Sequence, residues 1–371
     1  MTSNTQPGNL PKRVLITRLS AHGDVIQTLP LLASLKDNNP DLEIGWLVES
    51  AAASLLQNHP LIDTLHICPR KQWLGKLKNP LHWFSVLKEI SDFTDSLKHK
   101  HYEASFDVQG LLKSALWPWL AKIPRRYGNQ QARENASMFY NHTLPPHTFD
   151  PNTPAINRYI EFAEAAGFKK TDRTRFPLPP VTQTSQRKIA ALLAGNTKPL
   201  AVIAPASIWP SKHWVEAHWQ SLITTLQAQG YGIAVIGSPW DEALIKRLLS
   251  TLQNPDSVIN LAGKTNLVDL YALFEQSELM IGLDSAPLHI ANAVADNTPT
   301  GTPRIVGIFG STAARRTGAI STRHKNQHAS ASLSLDCQPC FERHCPLKTH
   351  ACMVDLKPEA ILALLKQESA V

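Results

Sequence analysis

Short β-branched runs alternate with stretches that place an apolar residue every three or four positions, nearly from one end of the chain to the other. Val14-Leu15-Ile16-Thr17 predicts a strand, and Val25, Leu29, Leu32 and Leu35 then share one face of a helix. After the Asn38-Asn39-Pro40 break a second strand is predicted over Ile44–Val48, and another ends at Phe106-Asp107-Val108. Strand, helix and strand in that order make the βαβ unit of a parallel sheet. The second half repeats the style without repeating the sequence. Strands are predicted at Leu200–Ala204, Ile233–Ile236, Leu279–Ile281 and Ile305–Ile308. Helices are predicted over Trp214–Gln229, from about Asp241, over Leu267–Phe274 and over Pro287–Val294. Pro177, Pro179 and Pro180, with the polar Thr-Gln-Thr-Ser run behind them, mark Pro177–Thr197 as a linker. A short amphipathic helix is predicted at Pro358–Gln367.

The pattern predicts two doubly wound α/β domains facing each other across a cleft. The expected boundaries are 1–180 and 181–355, with a terminal helix in 356–371. Ligands of such sheets bind beyond the carboxyl ends of the strands, so the loops that follow strands are where chemistry belongs.

Composition narrows the class. The chain has 371 residues, room for about two domains of ordinary size, and its 43% hydrophobic and 18% charged content excludes a disordered chain. A formal charge of +7 favours phosphates, nucleic acid or an anionic membrane surface. The bases are scattered and form no nucleic-acid module, so nucleic acid is not expected as a partner. Met1 to Pro11 is polar, unlike a signal peptide, and no apolar run approaches the roughly 18–20 residues that span a bilayer. A cytoplasmic protein is expected. Four of the five cysteines crowd into Cys337-x2-Cys340-x4-Cys345-x6-Cys352, which suits either reduced thiols or a structural zinc site.

Four loops after strands hold candidate chemistry. The first, Arg18-Leu19-Ser20-Ala21-His22-Gly23-Asp24, lacks the G-x-G-x-x-G dinucleotide fingerprint. It places Asp24 at a helix start, either to satisfy free N–H groups or to act as a general base. Pro205 to Trp214 combines Ser207 and Lys212 before a helix, a combination that suits a phosphate. Gly237-Ser238-Pro239-Trp240-Asp241 puts an acid where a ribose diol sits in nucleotide sites, or where a helix needs a cap. Gly282-Leu283-Asp284-Ser285-Ala286-Pro287-Leu288-His289 is a second turn into a helix that could cradle an anion.

Ser-Ala-His-Gly-Asp-Val at 20–25, Asp107 to Ala115, Lys212-His-Trp and Gly-Leu-Asp284-Ser-Ala-Pro-Leu-His289 together resemble glycosyltransferase family 9, the bacterial ADP-heptose:lipopolysaccharide heptosyltransferases. The resemblance spans residues 13 to about 312. Asp107–Ala115, Ala132-Arg133-Glu134 and Phe139-Tyr140-Asn141 are most similar to the heptosyltransferase I branch. The resemblance implies a GT-B fold and an inverting transfer of L-glycero-D-manno-heptose from ADP-heptose to a Kdo sugar of the lipid A–Kdo acceptor. It makes Asp24 the general base, and it places the donor phosphates on Lys212 and the ribose on Asp241, with Ser207 in the same donor loop. Asp284 then contacts the donor sugar, next to His289, and Ser285, Ala286, Pro287 and Leu288 offer backbone N–H groups to the pyrophosphate. It sets Arg70, Lys71, Lys113, Arg133 and Arg158 toward the acceptor, whose carboxylates and phosphates suit charge-assisted bonds.

No Asp-x-Asp occurs in the chain, so no catalytic metal and no cofactor are expected. A monomer at the cytoplasmic face of the inner membrane is expected. The Trp- and Lys-rich stretches at Arg70–Lys88 and Leu116–Arg126 read either as core tryptophans beside solvated bases or as a membrane-surface face. The insertion-like Ala295–Pro303 and the cysteine-rich tail keep heptosyltransferase II, or a family 9 transferase of another sugar, as the alternative. A nucleotide-sugar epimerase or hydrolase is the alternative from another class.

Overall fold

In a computed structural model of the chain, residues 10–144, 151–169, 171, 174–324 and 327–366 are described. Most of the polar segment Met1–Pro11, and Gln367 of the terminal helix, lie outside them. The chain forms two compact units, one of residues 1–150 and 155–179, the other of 151–154 and 180–371.

The first unit is a six-stranded parallel sheet of β1 (Arg13–Thr17), β2 (Glu43–Glu49), β3 (Thr64–Cys68), β4 (Ala104–Asp107), β5 (Arg125–Asn129) and β6 (His142–Leu144), in the order β3-β2-β1-β4-β5-β6. Its helices are α1 (His22–Asn38), α2 (Arg70–Lys76), α3 (Trp83–Lys98), α4 (Leu112–Leu120) and α5 (Ala155–Ala165). Val14, Leu15, Ile16 and Trp46 are fully buried, as the apolar runs of a sheet covered on both faces require. On one side Trp73, Val86, Leu97 and Trp117 form a cluster, with Trp73 and Trp117 rings 5.6 Å apart. On the other, α1 packs against α5.

The second unit repeats this topology. Its strands are β7 (Leu200–Ala204), β8 (Gly232–Val235), β9 (Val258–Asn260), β10 (Leu279–Leu283), β11 (Arg304–Ile308) and β12 (Ala329–Ala331), all parallel, in the order β12-β11-β10-β7-β8-β9. Its helices are α6 (Gln183–Leu192), α7 (Glu216–Ala228), α8 (Glu242–Ser250), α9 (Asp269–Glu275), α10 (Ala286–Asn297) and α11 (Pro358–Lys366). Helix α11 lies against α7 and β12, with Ile361 in the core of this unit.

In both sheets the strand order reverses beside the first strand of the unit, between β1 and β4 and between β7 and β10. Loops leave such a switch point in opposite directions and open a crevice at the carboxyl edge.

Two expected boundaries differ from the structure. The expected linker contains helix α6, because Thr182 is its N-cap, its Oγ accepting the Ser185 N–H at 3.1 Å. Ser185 and Lys188 then bond the buried Asp269 at 2.8 and 2.6 Å and fix the helix to the second unit. The helix expected from Trp214 starts at Glu216, since Trp214 turns inward and donates Nε1–H to the Leu356 carbonyl at 2.7 Å.

Candidate functional site

Beyond β1 the backbone turns through Ser20 and Ala21 into α1, and Asp24 lies in the first turn of that helix. The helix-start reading of this acid is realised. Asp24 Oδ2 accepts the Ala21 N–H at 3.3 Å, and the same oxygen meets Arg18 Nη2 at 2.5 Å. Arg18 is buried, yet its guanidinium is bound so that it stays charged. Burial works against that charge, but Asp24, Tyr159 and Asp107 outweigh it and raise its pKa. Its Nη1 donates to the Val108 carbonyl at 2.9 Å, and its guanidinium sits 5.6 Å from the centre of the Tyr159 ring. The Asp24 side chain is 42% exposed.

The loop after β4 is built on a buried acid. Asp107 accepts bonds from Tyr140 Oη (2.7 Å), Ser114 Oγ (2.9 Å) and the Gln109 and Gly110 N–H groups (3.0 and 3.1 Å). Burial nevertheless pushes its carboxyl above the usual carboxylate range. Gly110 takes the left-handed conformation at φ +67°, and a Cβ on Gly128 would collide with the Tyr140 ring at 2.1 Å, so both glycines are needed for this arrangement. The loop carries Gln109 and Lys113 back to β1: Gln109 Oε1 accepts the Leu19 N–H at 2.8 Å, and Lys113 Nζ donates to Ser20 Oγ at 2.8 Å. Glu49, buried at the end of β2, lies 3.5 Å from Lys113 Nζ and 2.7 Å from Arg70 Nε.

One connected group therefore holds Asp24, Lys113 and Arg70, three of the expected residues. Arg133 is exposed and joins through its backbone, its N–H donating to the Gly110 carbonyl at 3.1 Å. Arg158 lies on α5 beside Tyr159. Lys71 points to solvent, outside the group. Sequence reasoning missed Arg18 and Glu49. The one local signal is a charged residue at or just past the end of an otherwise buried strand, and it does not say which partners that charge meets.

In the second unit the loops after β7 and β10 meet. Lys212 Nζ lies 2.8 Å from Asp284 Oδ2 and 2.9 Å from the Asp284 carbonyl, and His289 Nε2 is 3.5 Å from Asp284 Oδ1. Asp284 is buried, which opposes its charge, yet the hydrogen bond to His289 and the charge of Lys212 hold its carboxyl well below the usual range. The Lys212 ammonium also lies 5.0 Å from the centre of the Trp209 ring. Ser207 turns its carbonyl to His213 Nε2 at 2.6 Å.

One expected role needs correction. Of the four N–H groups expected from Ser285 to Leu288, Pro287 has none, and that of Leu288 donates to the Ser285 carbonyl at 3.1 Å while its side chain is in the core. Those of Ser285 and Ala286 stand at the start of α10. Asp241 is a helix cap, its Oδ2 accepting from Ser238 N–H (2.8 Å) and Ser238 Oγ (2.6 Å). Only Oδ1 remains for a ribose. Beside it Trp240 stands exposed.

The four clustered cysteines are free thiols lining one small cavity with Ser211 and Gly310. Burial, with the neighbouring thiols adding, pushes Cys352 up to about 11, while N–H groups, led by that of His350, lower Cys345. Among the described residues no group of three or more His, Cys, Asp or Glu side chains is arranged to hold a metal ion. No helix among them is long and apolar enough to cross a membrane.

The family model "Glycosyltransferase family 9 (heptosyltransferase)" matches residues 90–351. The chain belongs to glycosyltransferase family 9. It is a glycosyltransferase. Among similar family 9 proteins, lipopolysaccharide heptosyltransferase 1 of Escherichia coli O18:K1:H7 is 28% identical over 292 residues, 76% of this chain and 83% of that one. Lipopolysaccharide heptosyltransferase 1 of Pseudomonas aeruginosa is 26% identical over 366 residues, covering 95% and 94%. The solved structure of the E. coli heptosyltransferase WaaC with ADP-2-deoxy-2-fluoro heptose is 22% identical, has a TM-score of 0.70 and covers 96% of this chain and 99% of that one. That likeness shows the fold, the GT-B fold of the family.

Proposed function

We propose that this family 9 enzyme moves L-glycero-D-manno-heptose from ADP-heptose to a Kdo sugar of a lipid A–Kdo acceptor, with inversion, in lipopolysaccharide inner-core synthesis. The observation that carries the reading is the pair of unlike sites at the two switch points. One has a partly open carboxylate fixed by a buried arginine and flanked by Lys113 and Arg70. The other has a lysine and a helix start suited to an anionic leaving group. Heptosyltransferase relatives that match most of the chain, and a solved relative holding an ADP-heptose analogue, support the donor.

In this reaction Asp24 takes the proton of the acceptor hydroxyl through Oδ1 while that oxygen bonds to the anomeric carbon. The bond from that carbon to the diphosphate breaks, and ADP leaves with the electron pair. Arg18 holds the base in position through its contact with Oδ2. Lys212 and the Ser285 and Ala286 N–H groups take up charge on the departing diphosphate, a task for preorganised donors. Asp284 and His289 keep Lys212 in place, and Asp241 and Trp240 take the ribose and the base of the nucleotide. Lys113, Arg70, Arg133 and Arg158 receive the acid groups of the acceptor, whose lipid tail puts the enzyme at the cytoplasmic face of the inner membrane.

The test is ADP release from ADP-L-glycero-D-manno-heptose with and without Kdo-bearing lipid A. Acceptor-dependent release, with a product one heptose heavier, is the expected result. Release only with an acceptor that already carries a heptose would move the chain to the heptosyltransferase II reading. Release without any acceptor would favour a hydrolase.

A further inference from the structure

From Arg70 to Lys88 the chain carries five lysines and arginines and no aspartate or glutamate. This stretch forms α2, a short connecting turn and the start of α3. It is anchored from within: Trp73 is buried against Phe93 and Trp117, and its Nε1–H donates to Glu89 at 3.0 Å. Trp83 Nε1–H closes the turn onto the Leu77 carbonyl at 3.0 Å. The outer side is apolar where a surface helix is normally polar. Leu81 is 87% exposed, Phe84 88%, Leu87 61% and Trp83 52%. Leu74 and Leu77 extend the patch along α2. Val86, two positions after Phe84 and one before Leu87 on the helix face that turns inward, is fully buried, so the outward residues are surplus to the core.

Contiguous exposed apolar side chains of this kind mark an interaction surface. Lys71, Lys78 and Lys88 surround them, exposed and in no ion pair among the described residues, whereas Lys76 is paired with Glu89. We propose that this face docks on an anionic lipid bilayer, with Leu81 and Phe84 entering the headgroup–acyl boundary and the free lysines meeting acidic headgroups. Mixed aliphatic and aromatic insertion with a basic rim is the chemistry of interfacial helices. The patch is also continuous with the acceptor side of the first unit. Helix α2 begins at Arg70, which is bonded to Glu49, and its seven residues span only about 10 Å before the apolar face begins to dominate. A lipid-anchored sugar reaching Lys113 and Arg70 would have its bilayer beside it. This siting rests on the acceptor proposed above; the docking itself rests on the exposed residues.

Flotation with vesicles of phosphatidylethanolamine and phosphatidylglycerol, against pure phosphatidylcholine vesicles, tests the proposal. The full-length protein is expected to bind the anionic vesicles at least tenfold better, and 0.5 M salt is expected to weaken that binding. The double variant Leu81→Glu/Phe84→Glu should lose at least tenfold in vesicle binding, with an unchanged melting temperature and unchanged turnover of a deacylated, water-soluble acceptor. Equal binding by variant and parent, or no binding by the parent, would overturn the proposal. So would a concentration-dependent dimer abolished by the same substitutions, since the face would then belong to a second copy. Turnover of the soluble acceptor without vesicle binding would leave the proposed reaction standing and the docking face refuted. Vesicle binding without heptose transfer would do the reverse.

Discussion

Lys212 Nζ touches Asp284 twice, the carboxylate at 2.8 Å and the main-chain carbonyl at 2.9 Å. Both residues are largely buried, and the loops that carry them follow neighbouring strands of one sheet. The pair thus locks two loops and stores a cation where an anionic ligand is expected. Removing one member of a buried pair leaves the other uncompensated, at a cost of about 3–5 kcal/mol. His289 stays within reach of Asp284 and should keep the loss near the lower end. Lys212→Ala is therefore expected to destabilise the protein by about 3 kcal/mol in urea unfolding and to weaken ADP binding at least tenfold by calorimetry. Unchanged ADP affinity would show that the diphosphate is held elsewhere.

Asp24 separates from Lys212 in its predicted kinetic signature. Its Oδ2 is committed to Arg18 and the Ala21 N–H, so the base function falls to Oδ1. Asp24→Asn keeps the shape and removes the proton acceptor. Turnover should fall by roughly 10²–10⁴, the usual contribution of a positioned base, with ADP affinity within about a factor of two. Single-turnover measurements at saturating donor separate the two effects. Near-normal turnover would remove Asp24 from the chemistry.

How much of this was legible in the sequence depends on what had to be read. The first strand of each unit and the helices behind them were legible because Val14–Thr17 and Leu200–Ala204 are short apolar runs ahead of periodic segments. Strands such as Thr64–Cys68 and Arg125–Asn129 carry His66, Arg125 and Arg126 and lack that signature; pairing with the neighbouring strand in the sheet makes them strands. The stretch after Pro180 looked like a linker because Thr182 and Ser185 are turn formers by composition. The cap is local, but the tether of Ser185 to Asp269 reaches a residue 84 positions away. The site behaves likewise. Asp24, Lys212 and Asp284 stand in loops after strands, where chemistry was sought. Arg18 and Glu49 are defined by bonds to Asp24, Lys113 and Arg70 that no local pattern encodes.

Glu49 should set how tightly the acceptor is held. It is buried and faces two cations, Arg70 at 2.7 Å and Lys113 at 3.5 Å, and so fixes the spacing between them. Glu49→Gln keeps a hydrogen-bond acceptor for Arg70 but loses the charge that draws Lys113 in. KM for the acceptor should rise several-fold while ADP affinity stays constant, because Lys212 and Asp284 belong to the other sheet. An equal loss in kcat with no change in acceptor KM would assign Glu49 to folding alone.

A last prediction concerns pH and involves no ligand. His66 is buried on β3, with Nε2 2.8 Å from the Tyr102 hydroxyl and the two rings edge to face. Burial, with the Lys100 charge adding to it, lowers its pKa to about 4 from the ordinary 6.5. The unfolded chain then takes up a proton at a higher pH than the folded one. Stability from this residue is fully present above about pH 6.5 and is lost as the pH falls toward 4. The drop of about 2.5 pKa units corresponds to at most about 3 kcal/mol. His66→Gln retains an amide that can bond Tyr102 but does not titrate in this range. Urea unfolding of both proteins from pH 7 to pH 4 should show the parent losing about 2–3 kcal/mol relative to the variant over that interval. Parallel curves would mean that His66 is as easily protonated in the folded protein as in the unfolded one, and that other groups set the acid limit of the first unit.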